Sequence, residues 1–178
     1  MLGDEDVGKG QLIKLISNST LEYPYELLVG LNTTESSINY KSIDINIVVN
    51  QIDSSDKHKQ TRKIFYQGVQ IILFIFDAND PITLKNLKNK WFPEIKDFQN
   101  KNINPLVTKS FLIANKANEI SISLEKVRIA ARKLKCEGFC FVKNDGEIIF
   151  SSIEKITSLK DVISFLSLEY LHSVVKTK

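Results

Sequence analysis

Gly3-Asp4-Glu5-Asp6-Val7-Gly8-Lys9-Gly10 constrains this chain more than any other stretch, because its G-x-x-x-x-G-K spacing commits the backbone to a tight glycine-hinged loop ahead of a helix. Leu12, Leu15 and Ile16 follow at helical intervals, and Asn18-Ser19 is a polar stop. Glycines let the peptide N–H groups of such a loop turn inward, and the next helix adds its positive end, so the fitting occupant is a phosphate. Gly3, Asp6, Val7, Gly8, Lys9 and Gly10 are therefore the candidate phosphate contacts, with Lys9 neutralising the outer oxygens. The full motif has Ser or Thr after the lysine, to hold Mg²⁺ through a hydroxyl. Gly10 has no side chain to offer. Glu5 and Asp6 add carboxylates that repel a triphosphate unless they turn to solvent, where screening weakens them.

A chain of 178 residues suits a single domain, 1–178, and 43% hydrophobic with 25% charged residues is an ordinary globular balance. The net charge of +3 is spread along the chain, so nothing argues for nucleic-acid binding. Ile71 to Phe76 has the length of a buried strand, well short of a membrane span. Cys136 and Cys140, with His58 and His172 far away in sequence, are too few for structural zinc and are expected as reduced, packed thiols in the cytosol.

The rest of the chain alternates strands and helices. Leu31 to Asn39 and Ile43 to Val49 read as a β-hairpin, and Val69 to Phe76 as a buried parallel strand ended by Asp77-Ala78-Asn79-Asp80-Pro81. Ile82 to Phe98 is a helix with Trp91 in the core, followed by a strand at Ser110–Ala114 and a helix at Leu124–Leu134. Phe139–Val142 is the last strand. A turn at Lys143-Asn144-Asp145-Gly146 predicts a small inserted hairpin over about 139–150, and Ser158-x-x-Asp161 is a capping box for the final helix.

Taken together, the loop, Glu22 to Gly30, Gln51-Ile52-Asp53-Ser54, Phe65-Tyr66-Gln67-Gly68, Lys90-Trp91-Phe92-Pro93-Glu94 and Asn115-Lys116-Ala117-Asn118 resemble a Ras-superfamily small GTPase of the Rab and Rho branches. The resemblance covers nearly the whole chain and needs no gap from Gly3 to Phe76. It implies a doubly wound α/β P-loop fold with helices on both faces. The first strand is truncated to Met1-Leu2, so either the true start lies upstream or something else completes the sheet.

The resemblance also shows which working parts differ. Leu28 stands where the family's switch I threonine binds Mg²⁺, Gln51 replaces the metal-ordering aspartate, Ser54 replaces the glycine that meets the γ-phosphate, and Ser55 replaces the water-positioning glutamine. Asn115 and Lys116 match the guanine-reading motif, but Asn118 replaces its aspartate and would turn NH₂ donors toward donors on the base. The base-closing Ser-Ala-Lys is assigned to Ser152-Ile153-Glu154. A register slip that lets Asp53 or Asp56 act for the lost residues fits the spacing less well.

No catalytic set and no metal ligands remain, so GTP hydrolysis is expected to be lost. GTP or GDP would bind weakly, without Mg²⁺. The resemblance then implies an inactive Rab-like module, a protein-binding or structural subunit of a trafficking, ciliary or cytoskeletal assembly, that meets partners through Tyr23–Asn32 and Ser54–Phe65. The alternative is a regulatory domain that keeps guanine nucleotide independently of Mg²⁺. The C-terminal His172 to Lys178 has no cysteine for prenylation and Leu2 closes the myristoyl route, so no direct lipid anchor is expected in this cytoplasmic protein.

Overall fold

The computed structural model describes residues 1–16, 31–40, 43–101 and 108–176. The apolar runs pair into a four-stranded sheet, β3 (Ile71–Asp77), β4 (Lys109–Asn115), β5 (Gly138–Val142) and β6 (Ile148–Ser151), in that spatial order. The first three are parallel, and β6 returns antiparallel to β5 through the turn at 143–147. Strand side chains alternate between faces, so both faces of β3 and β4 need cover.

One face carries Phe74, Phe76, Leu112 and Ala114 under Leu84 and Leu87, Trp91 and Ile95, and Val127, Ala130 and Leu134. These belong to α3 (Pro81–Asn86), the π turn Leu87–Trp91, α4 (Phe92–Lys101) and α5 (Leu124–Lys133). The other face carries Leu73, Ile75, Phe111 and Ile113 under Leu12, Ile13 and Ile16 of α1 (Lys9–Ile16) and Val162, Ile163 and Leu166 of α6 (Leu159–Lys176). This is the doubly wound arrangement. The π turn sits just before Pro93, which has no N–H to give to the preceding turn; the Phe92 N–H reaches back to Leu87 O instead.

The capping box forms as a reciprocal pair: the Asp161 N–H donates to Ser158 Oγ (3.2 Å) and the Ser158 N–H to Asp161 Oδ2 (2.8 Å). Cys136 and Cys140 are free thiols, and burial pushes the Cys136 thiol up to about 12.

The hairpin β1 (Leu31–Tyr40) and β2 (Ile43–Ile52) pairs from Leu31↔Ile52 to Tyr40↔Ile43 and stands as a separate two-stranded ribbon. Met1 and Leu2 join it to the sheet. The Leu2 N–H donates to Leu73 O (2.9 Å) and its carbonyl accepts from the Ile75 N–H (2.7 Å), while Met1 O accepts from the Ile52 N–H (3.4 Å) and the Met1 amine donates to Asn50 O (2.6 Å). That two-residue stub runs parallel to β3. Beyond it a cavity of about 480 Å³ separates β2 from β3, lined by Ile47 and Val49 on the ribbon, Ile71 and Leu73 on the sheet, and Tyr66, Phe98 and Ile163 from the helical layers. The segment after β2 forms short turns, Asp56–His58, α2 (Lys59–Arg62) and Lys63–Tyr66.

Candidate functional site

The loops at the carboxyl ends of β3, β4 and β5 and the end of β2 surround residues 3–9, the place where open α/β sheets bind ligands. They are stitched together by backbone bonds: the Ala78 N–H donates to Asn115 O (2.8 Å) and the Ala117 N–H to Val142 O (2.9 Å).

The loop has the curl its glycines permit. Gly3 and Gly8 hold φ of 157° and 85°, and Asp6 takes φ 60°. A Cβ on Gly3 would lie 2.1 Å from Ile75 O, and one on Gly8 would lie 2.3 Å from Asn115 Nδ2. Asn115, 1% exposed, donates from Nδ2 to Val7 O (2.9 Å), tying the loop to β4. Asp4 ties it to the helical layer by accepting from Trp91 Nε1 (2.7 Å) at one oxygen and Asn86 Nδ2 (2.6 Å) at the other. Glu5 and Asp6 are exposed, so both carboxylates have turned to solvent.

Lys9 begins α1 with its side chain folded into the loop. It is 5% exposed, and Nζ donates to Gly3 O (3.0 Å), Asp4 O (2.5 Å) and Ser54 Oγ (3.5 Å). Burial pushes its amine down to about 8, against the opposing pull of Asp4, Asp53, Glu5 and Asp6. The Gln11 and Leu12 N–H groups close the first helical turn on Gly8 O, which leaves the Lys9 and Gly10 N–H groups at the helix start.

At Gly10 the end of β2 closes in. A Cβ on Gly10 would sit 3.5 Å from Gln51 Oε1, an ordinary contact, and that oxygen is buried with no hydrogen-bond partner. The nearby Asp53 is engaged locally: Oδ1 accepts from the Ser55 N–H (2.7 Å) and Oδ2 lies 3.6 Å from His58 Nε2. Among the described residues no three His, Cys, Asp or Glu side chains gather. A Mg²⁺ ion takes near-ideal octahedral oxygen coordination through carboxylates and water. One neutral carboxamide beside a bare glycine does not fit it. Leu28, with most of Tyr23–Asn32, lies outside the described residues.

The segment from Ser54 to Phe65 is held from beneath. Arg62, 1% exposed, forks onto Glu94 (Nε–Oε1 3.0 Å and Nη2–Oε2 3.3 Å) and donates from Nη1 to Asp53 O (3.1 Å) and Ser55 O (2.9 Å). Tyr66 OH donates to Glu94 Oε1 (2.6 Å). Burial opposes the Glu94 charge, but Arg62 and Tyr66 hold its carboxyl below the ordinary carboxylate range.

On the base side Lys116 (φ 57°) pairs with Asp77 (Nζ–Oδ2 2.9 Å), and Asn79 Nδ2 donates to Lys116 O (2.9 Å). Asn118 Oδ1 accepts from the Asn144 N–H (2.9 Å), and Gln11 Nε2 donates to Asn144 O. The turn after β5 thus bridges Asn118 and the start of α1. Ser152 does not reach it, which corrects the assignment of the base-closing motif to Ser152-Ile153-Glu154. Because β6 runs back along β5, Ser152 lies beside Phe139 at the opposite end, where its Oγ accepts from the Phe139 N–H (2.8 Å).

The structure places Gly3, Asp6, Val7, Gly8, Lys9, Gly10, Asn115, Lys116 and Asn118 on the loops at this end of the sheet and Ser152 at the other. Asp4 and Asn144 join the site unforeseen. The place of Asn144 two residues after the Phe139–Val142 strand was the available signal.

The sequence model described as the Ras family matches residues 1–144. The chain belongs to the Ras family. Among individual relatives of this Ras-family chain, human "Rho-related GTP-binding protein RhoD" is 23% identical over 98 residues, 55% of this chain and 46% of that protein. "Ras-related protein RABE1d" of Arabidopsis thaliana is 22% identical over 118 residues, 66% of this chain and 52% of its own length. "Ras-related protein Rab-1D" of Dictyostelium discoideum is 22% identical over 147 residues, 83% of this chain and 69% of its own. The chain spans about half the length of the first two. No helix among the described residues is long and apolar enough to cross a membrane.

Proposed function

We propose that this Ras-family domain does not hydrolyse GTP and serves as a protein-binding or structural subunit of a larger assembly. The observation that carries this reading is the Gln51 carboxamide packed against Gly10, where phosphoryl transfer in this family needs a metal to neutralise developing charge. A trafficking or ciliary setting is an analogy from fold. Partners would meet Ser54–Phe65, which the Arg62–Glu94 fork holds in one arrangement and on which Ile64 is 62% exposed, together with Tyr23–Asn32.

A second reading is supported by the loop itself, which is curled with Lys9 in place. On that reading the domain retains GTP or GDP without Mg²⁺. Calorimetric titration with GTP and GDP, in Mg²⁺ and in EDTA, with phosphate release measured in parallel, tests both. The expected result is no phosphate release and no gain in affinity from Mg²⁺. Mg²⁺-dependent micromolar GTP binding with turnover would overturn the proposal.

A further inference from the structure

Met1 and Leu2 form a seam between the ribbon and the main sheet that is one strand wide and only two residues long. Met1 bonds to the Asn50 carbonyl and the Ile52 N–H of β2, and Leu2 to the Leu73 carbonyl and the Ile75 N–H of β3. Each residue thus bridges partners two positions apart, the pattern of a parallel ladder on both sides. Past Met1 the gap stays open as the cavity of about 480 Å³. Successive residues of a strand turn their N–H and C=O groups to opposite edges, and β1 and β4 take the far edges of β2 and β3. The Asn46 and Val48 backbones and the Asn50 N–H therefore face the Ile71 backbone and the Leu73 N–H across the gap. None of these groups has a partner among the described residues. Side chains line the gap in two apolar layers, Tyr66, Ile95 and Phe98 on one face and Ile47, Ile71 and Ile163 on the other.

Those walls decide the class of occupant. A lipid tail would suit the side chains but leave two rows of backbone groups unsatisfied, whereas an extended peptide satisfies both rows. Met1 closes one end of the gap, so a strand that enters must stop there. The Met1 amine, which donates to Asn50 O (2.6 Å), supplies the direction. Burial, reinforced by the charge on Lys9, pushes that amine down to about 5, and a carboxylate beside it would reverse the shift. A strand parallel to β2 and β3 brings a carboxyl terminus to the amine; the opposite direction brings a second amine. We propose that the gap between β2 and β3 binds the C-terminal tail of a partner protein, about four apolar residues laid as a parallel strand with the terminal carboxylate against the Met1 amine. Alternate side chains of the tail enter the two apolar layers. The proposal rests on the protein-binding reading above and gives it a partner.

The test titrates the full chain with the peptide acetyl-Lys-Lys-Ser-Val-Ile-Val-Val, as the free acid and as its C-terminal amide. The free acid should bind about tenfold tighter, the scale of a hydrogen bond to a charged group. Its binding at pH 7 should take up about one proton as the Met1 amine recharges, read from calorimetry in buffers of different ionisation enthalpy. In the ¹⁵N-labelled wild type, hydrogen exchange at the Val48, Asn50, Ile71 and Leu73 N–H groups should slow, a readout that needs no variant to fold. Ile47→Asp, which puts a charge on the apolar wall, should abolish binding. No binding, equal binding of acid and amide, or binding that leaves those amides unprotected overturns the proposal and leaves the protein-binding reading with Ser54–Phe65. Protection that appears with protein concentration alone assigns the gap to a second copy and also overturns it. Failure of the protein-binding reading itself shows separately, as turnover in the phosphate-release assay.

Discussion

The two walls of the pocket differ in what holds them. On the loop wall, packing dictates the backbone: Gly3 is pressed on Ile75 O, Gly8 on Asn115, and Asp4 is clamped by Trp91 and Asn86. On the β2 wall, Gln51 and Ser54 are side chains that the fold accepts without requiring, carried on a backbone that Arg62 secures from below. Geometry that the core enforces persists with or without a ligand, whereas the identity of a ligating side chain matters only when a ligand is there. A phosphate-shaped loop is thus compatible with the proposed loss of the metal.

Mutations can break that contrast. The largest effect is expected from Arg62→Ala, which leaves Glu94 buried without its partner and two carbonyls unpaired. It should cost about 3 to 5 kcal/mol in urea-unfolding free energy, measured as a fall in the denaturation midpoint. An unchanged midpoint would mean the β2 wall does not depend on the fork. Gly8→Ala comes next, since φ 85° and the Asn115 contact both resist a Cβ; the strain should cost about 3 kcal/mol, again read by unfolding.

The Lys9 amine sharpens the comparison through pH. Its folded value of about 8 lies below its ordinary 10.5, so the unfolded chain binds more protons between those values and stability should rise with pH across that window. The gain is roughly 3 kcal/mol, taken as the wild-type minus Lys9→Met difference in unfolding free energy from pH 7.5 to 10.5. A flat difference would show that the loop does not disfavour the charge. Gly10→Ala should have the smallest effect and the opposite sign. Its Cβ meets only ordinary contact and a helical alanine outranks glycine, so stability should rise by about 0.5 to 1 kcal/mol. A loss comparable to that of Gly8→Ala would erase the distinction between the walls.

Local patterns made much of this legible. The apolar runs at 71–76 and 110–114 set β3 and β4, the 31–49 stretch set the ribbon, and Ser158 with Asp161 set the start of α6. Each signal lies within a few residues of what it specifies. Asp4 against Trp91, Gln51 against Gly10 and Asn118 against Asn144 join distant parts of the chain, and no periodicity announces such pairs. The Ser152 assignment failed for a related reason. Reading β5 and β6 as an insertion moved the expected base loop beyond the hairpin, whereas it is the turn within the hairpin that meets Asn118.

The ribbon of β1 and β2 meets the main sheet through the backbone of Met1 and Leu2 alone among the described strands, with open space beyond them. Its own hold on the protein is apolar: Ile52 and Val49, at the end of β2, are buried in the two cores on either face of the sheet. Local opening of the ribbon should therefore start at its far end, where Tyr40 pairs with Ile43, and reach Gln51 last.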